Sequence, residues 1–156
     1  MVIDPLPKRR CLAGRVGAER AEWGEPQHVL AAVREWTCGD GAPLVIETSG
    51  DAGVLPRAVE MACSAGRIVV VGMSSGTAAL RPGAFPEKEI DVIGSSCATA
   101  GDFRGAARLV AKHCASVASL LTHRFPLECA REALEFVSKR PPDAVKVVVT
   151  IGDEAL

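Results

Sequence analysis

Residues 44–72 read LVIETSGDAGVLPRAVEMACSAGRIVVVG. The stretch opens on one apolar run, Leu44 to Glu47, and closes on another, Arg67 to Gly72. Both are continuous rather than alternating, the pattern of strands covered on both faces. Between them, from Leu55, apolar or small residues recur at Ala58, Val59, Ala62 and Cys63, the spacing of one helix face. Asp51 is placed to cap the start of that helix and Gly66 to end it. Strand, helix and strand in this order predict a right-handed crossover between parallel strands.

The same grammar extends in both directions. Met1 to Asp4, Ile90 to Gly94 and Val145 to Ile151 read as further buried strands. A helix starting near Pro26 sets Val29, Leu30 and Val33 on one face and stops by Gly39. Another runs from Phe103 through Ala106, Ala107, Val110 and Cys114, with Asp102 as its expected N-cap. A last one covers about Leu127 to Lys139, with Ala130, Ala133, Leu134 and Val137 expected inward, and Pro141 and Pro142 end it. Gly76 to Glu89 reads as a long Gly- and Pro-rich loop between two strands. The expected fold class is α/β, an open doubly wound parallel sheet in one domain, 1–156.

Composition narrows the function classes. The 156 residues carry 18 Lys and Arg against 19 Asp and Glu, a net charge of −1, so nothing favours a nucleic-acid partner. Apolar runs are far shorter than the roughly 20 residues a membrane helix needs. MVIDPLPKRR has its charges after its apolar part, the reverse of a secretory signal, and the expected compartment is the cytoplasm. Tyrosine is absent, which excludes mechanisms with a phenol as general acid. The six cysteines never form a C-x-x-C pair and read as structural thiols. His28, His113 and His123 are too scattered to suggest a metal site.

In an open parallel sheet a ligand sits beyond the carboxyl ends of the strands. Here those ends are Asp4, then Thr48, Ser49 and Gly50, then Gly72, Met73 and Ser74, then Gly94 and Ser95. Small residues there let a flat ligand approach the backbone. Asp4 has two readings. It can accept hydrogen bonds from both hydroxyls of an adenosine ribose and repel a 2′-phosphate, or it can cap the helix that Pro5 announces. The G-x-G-x-x-G loop expected about 20 residues before such an acid is absent. Gly39 and Gly41 read as a turn, and GMSSG after Val71 is a weak phosphate cradle.

VIDPLPKRR, LVIETSG, AVEMACSAGRIVVVGMSSG, EKEIDVIGS, LLTHRFPLECAREALEFV and KVVVTI, in this succession, resemble the C-terminal half of the zinc-type medium-chain dehydrogenases, the alcohol, sorbitol and threonine dehydrogenase group. The resemblance implies a Rossmann-like sheet binding NAD, lacking its first strand and Gly-rich loop, with a return segment at about 120–156. It implies Asp4 on the adenosine ribose, which favours the first of its two readings, and Arg9 beside the adenine. Thr48, Ser49 and Gly50 would line the cofactor cleft. Val71, Gly72 and Met73 would lie beside the nicotinamide, with Ile93 and Gly94 next to them at an edge used for dimer contacts. Lys146 would lie near the pyrophosphate or ribose.

The family's zinc ligands have no counterpart here, so neither a metal-binding nor a catalytic residue is assigned. The resemblance therefore implies the NAD-binding part of an alcohol or polyol dehydrogenase, not catalytic by itself, whose partners are the nicotinamide cofactor and either a second copy or a separate N-terminal half. The alternative is a non-catalytic nucleotide-binding or dimerisation module derived from such an enzyme. The missing strand would lie between Met1–Asp4 and Leu44–Glu47, leaving two unpaired edges.

Overall fold

A computed structural model describes residues 1–152; residues 153–156, the end of the expected return segment, lie outside the described residues. The chain runs β1 (Val2–Ile3), α1 (Pro7–Arg15), β2 (Ala21–Glu22), α2 (Pro26–Trp36), β3 (Ala42–Glu47), α3 (Val54–Met61), β4 (Ala62–Val70), α4 (Ala84–Lys88) and β5 (Asp91–Gly94). It continues through α5 (Ala100–Lys112), α6 (Cys114–Ala118), β6 (Leu121–Pro126), a 3-10 turn at Leu127–Cys129, α7 (Ala130–Ser138) and β7 (Lys146–Thr150). Every described strand pair is parallel, as the crossover reading requires. The fold is α/β. Two compact units are formed, Trp23–Ala98 and a second made of Met1–Glu22 with the chain from Thr99 onward.

In the Trp23–Ala98 unit the sheet order is β3-β4-β5. Ile68 of β4 pairs with Val45 on one side and Val92 on the other, and it is completely buried. Ala58, Val59 and Ala62 close over it, with Leu55, Leu80 and Phe85 at the margin. Helix α2 buries Val29, Ala32 and Val33. Helix α3 ends at Met61 and β4 starts at Ala62, earlier than the expected Gly66 and Arg67. The reason is a bulge: Ala42 pairs with Ala62 but Leu44 with Arg67, and the surplus residues include Ala65 at φ 56°. Ala62 thus fits the helical spacing yet packs from the strand. Asp51 does not cap α3; its Oδ1 accepts the Gly53 N–H at 2.8 Å in the preceding turn.

The Gly76–Glu89 segment is not wholly loop, because α4 lies within it. Arg81 and Glu87 form a two-bond pair at 2.6 Å each, and the Arg81 hydrogen bond holds the Glu87 carboxyl below the usual range. Lys88, at the end of α4, donates from Nζ to the carbonyls of Val59 (3.0 Å), Glu60 (3.1 Å) and Ala62 (2.8 Å). These are C-terminal carbonyls of α3 and the first of β4, which an ammonium satisfies as well as any cap.

In the other unit β1 pairs with β2 and β6 with β7. Sequence reading misses β2 and β6 because neither is an apolar run: β2 has two residues, and β6 alternates half-buried and exposed positions along Leu-Thr-His-Arg-Phe-Pro. Thr99, not Asp102, is the N-cap of α5. Asp102 is its capping-box partner, accepting the Thr99 N–H and hydroxyl at 2.8 and 2.7 Å. Those bonds, the hydroxyl's foremost, hold the Asp102 carboxyl below the usual aspartate range. Helix α7 turns Ala133 inward and sets Phe136 against His123 and Phe125, whereas Leu134, expected inward, is 74% exposed, and Val137 is also exposed.

Burial on both strand faces also fails in places. Leu44 and Ile46 of β3 are exposed, and so are all of β1 and β5. Strand β3 has only β4 beside it, and α3 covers the face that carries Val45, so the alternate residues stay open. Among the described residues no helix is long and apolar enough to cross a membrane.

Lys88→Met keeps the apolar stem and removes the ammonium. It is expected to lower stability by about 2 kcal/mol, the scale of a lost charged hydrogen-bonding group. The check is a urea titration showing a lower midpoint at unchanged slope.

Candidate functional site

At the carboxyl ends of β3 and β4 the two strands are clasped together. The carbonyl of Glu47 accepts the Val71 N–H at 2.8 Å and the Gly72 N–H at 3.0 Å, carrying the ladder past the last paired residues. The Glu47 side chain is 5% exposed and is the one buried charged group among the described residues. Its Oε1 accepts the Ser49 N–H (2.6 Å), the Ser49 hydroxyl (2.5 Å) and the Gly50 N–H (3.2 Å). Ser49 Oγ in turn accepts the Asp51 N–H at 3.1 Å. Sequence reading treats Glu47 only as the end of a strand; the available signal is a carboxylate closing an apolar run directly before T-S-G.

Gly50 and Gly72 are small for the protein's own sake. Gly50 sits at φ +69°, and a Cβ there would lie 2.5 Å from the Met73 carbonyl oxygen. A Cβ on Gly72 would overlap the Gly50 amide nitrogen and lie 2.6 Å from Glu47 Oε2. Packing by itself therefore demands glycine at these two positions. Gly94 is different, with nothing within 4 Å of its Cβ position. The strand ends also carry apolar side chains open to solvent: Val71 and Ile93 at 44% and Met73 at 96% exposure. Thr48 and Ser49 are exposed too. The strand ends thus carry exposed apolar side chains and exposed hydroxyls.

In the other unit, Asp4 follows β1 and is half-buried. Its Oδ1 accepts the Leu6 N–H at 2.8 Å, and its carbonyl accepts Arg10 Nη1 at 2.7 Å. The N-cap of α1 is Leu6, with no side-chain cap, so Asp4 shapes the turn before the helix rather than capping it. Its Oδ2 lies 3.9 Å from Arg9 Nη1. Arg9 Nη2 donates to the Ala144 carbonyl at 3.0 Å, while Arg9 Nε is buried and has no partner, alone in this among the described residues. Lys146 opens β7 and is exposed. A cavity of about 420 Å³ in this unit is lined by Lys8, Cys11, Arg15, His123 and Asp143 among others, none of them a residue selected from sequence. No three His, Cys, Asp or Glu side chains among the described residues come together as a metal set.

Comparison with known proteins gives these elements a context. A sequence model described as zinc-binding dehydrogenase matches residues 1–112. An uncharacterized zinc-type alcohol dehydrogenase-like protein of Escherichia coli is 26% identical over 97% of the chain, which spans 43% of that protein. Sorbitol dehydrogenase of Rattus norvegicus is 32% identical over 89% of the chain, which spans 39% of it. The chain thus spans about two-fifths of the length of these curated relatives. An alcohol dehydrogenase structure from Thermotoga maritima superposes with a TM-score of 0.87 at 24% identity, covering 97% of this chain and 42% of that one. An Escherichia coli alcohol dehydrogenase complexed with the cofactor NADH superposes with a TM-score of 0.81 at 25% identity, covering 96% and 43%.

The contrast between glycines is directly measurable. Gly72→Ala is expected to lose about 1–3 kcal/mol from overpacking, while Gly94→Ala should stay within about 0.5 kcal/mol of the parent. Equal midpoints for the two variants in denaturant titration would remove the clasp between β3 and β4.

Proposed function

Because the chain belongs to the zinc-binding dehydrogenase family, we propose that it is the nicotinamide-nucleotide-binding part of a dehydrogenase acting on alcohols or polyols. The observation that carries the reading is the row of level strand ends at which Val71, Met73 and Ile93 are exposed and the backbone of Gly94 is open. A planar ring stacks on such a surface, and the hydroxyls of Thr48 and Ser49 can meet its polar substituents. When bound, the nicotinamide supplies the hydride chemistry, and the protein's part is to bind and orient it.

The residues present fit a dinucleotide in chemical type. Asp4 Oδ1 holds the turn while Oδ2 stands 3.9 Å from Arg9 Nη1, so one carboxylate can both shape the chain and accept from a ribose hydroxyl. Arg9 brings a guanidinium beside it, suited to an adenine face. Zinc is another matter. The described residues supply no ligand set, so no step through a metal is derived from them, and the chain is proposed to contribute cofactor binding rather than turnover.

Asp4→Asn separates the two uses of the carboxylate, since the Asn carbonyl still accepts the Leu6 N–H while the charge is lost. In a titration of the purified chain with NADH followed by amide chemical shifts, the parent is expected to respond at residues 48–50 and 71–73 and at Asp4. The variant should bind more weakly by about 1–3 kcal/mol and discriminate less against the 2′-phosphorylated cofactor. Unchanged shifts throughout the parent titration would end the cofactor reading. With NAD and zinc supplied, the chain alone should reduce no NAD in the presence of polyols or secondary alcohols, and steady growth of NADH absorbance would refute the assignment to binding alone.

A further inference from the structure

We propose that Glu47 is the positioning residue of this site, a buried carboxylate that fixes the Thr48–Gly50 loop against Val71–Met73 and so sets the surface on which the nucleotide rests. The inference rests on the cofactor reading above and adds to it a residue that touches no ligand. A carboxylate at 5% exposure is costly to bury unless its charge is compensated. Here compensation comes from three donors converging on Oε1, all from two residues of the loop, Ser49 and Gly50. Charge-assisted bonds of this kind are shorter and stronger than neutral ones.

The other carboxylate oxygen packs against the second strand end. Oε2 lies against Gly72, where a Cβ would come within 2.6 Å of it. The Glu47 carbonyl meanwhile receives the N–H groups of Val71 and Gly72. One residue therefore holds the loop after β3 through its side chain and the turn after β4 through its backbone. At Gly50 and Gly72 the backbones of these strand ends come too close for a side chain. Thr48 and Ser49 on one side, Val71 and Met73 on the other, have their relative placement set by this interlock. A loop free of it would keep the fold and lose the preformed surface, which is how supporting residues act on a binding site.

The test uses the whole chain, with NADH as probe. In Glu47→Ala the Ser49 and Gly50 amides are expected to lose hydrogen-exchange protection and NADH affinity to fall about tenfold or more, the equivalent of losing an acceptor for several donors. Glu47→Gln retains an acceptor oxygen and should recover most of the affinity. Lys88→Met serves as the control for mere instability, since it weakens the same unit away from the strand ends and should leave NADH affinity unchanged while folded. If Glu47→Ala does not fold, Glu47→Asp carries the test, since it keeps the charge but draws the carboxylate back from Ser49 and Gly50, with a severalfold loss expected.

Affinity in Glu47→Ala, or in Glu47→Asp where that variant stands in, equal to the parent's would overturn the proposal. So would a Glu47→Gln as weak as Glu47→Ala, or a Lys88→Met that loses as much as either. A parent chain that gives no NADH response at all defeats the cofactor reading first and this inference with it, an outcome told apart from the others by the parent titration alone.

Discussion

Strand β4 is hydrogen-bonded on both edges, and Ile68 at its middle is sealed from solvent by α3 on the covered face. The rest of the Trp23–Ala98 unit is arranged around that burial. Parallel pairing on both sides requires the chain to return to the same end of the sheet each time, so the connections must cross over as α3 and as the segment containing α4. The α3 crossover ends on the ammonium of Lys88, a residue of the next crossover, which ties the two connections together over the same core.

That register also makes the strands finish level. Glu47 stands beside Val70, and Val70 beside Gly94, so the residues following all three strands emerge at one edge. What distinguishes them is how their backbones are spaced. Between β3 and β4 the chains approach so closely that only glycine fits at positions 50 and 72, whereas beyond β5 the space over Gly94 is open. Three glycines that look alike in a sequence thus divide into two that close the protein on itself and one that leaves a surface free.

The other unit illustrates divided use of a single group. Asp4 can be read as a helix cap or as a ribose acceptor, and its geometry does not force the choice. One oxygen is engaged by the Leu6 amide ahead of α1, and the other faces Arg9 at a distance too long for a hydrogen bond. The buried, unmatched Nε of Arg9 lies in the same neighbourhood, a polar cost borne next to the residues that family resemblance associates with adenosine.

The sequence by itself determined the α/β class, the parallel pairing, the core helices α2 and α3 and the strand-end positions, because continuous apolar runs and helical spacing are local properties that any chain displays openly. It also identified the family, through the order of motifs rather than through any one of them. Only tertiary structure decided where α3 hands over to β4, since Ala62 satisfies both patterns and a bulge four residues long has no periodic signature. It decided that Leu134 faces out, that Thr99 rather than Asp102 caps α5, and that polar β6 pairs with β7, because each depends on a partner distant in sequence or on a rotation of a few tens of degrees. The role of Glu47 belongs with these: an acid at the end of an apolar run looks like a solvated strand terminus until the loop it binds is folded back over it.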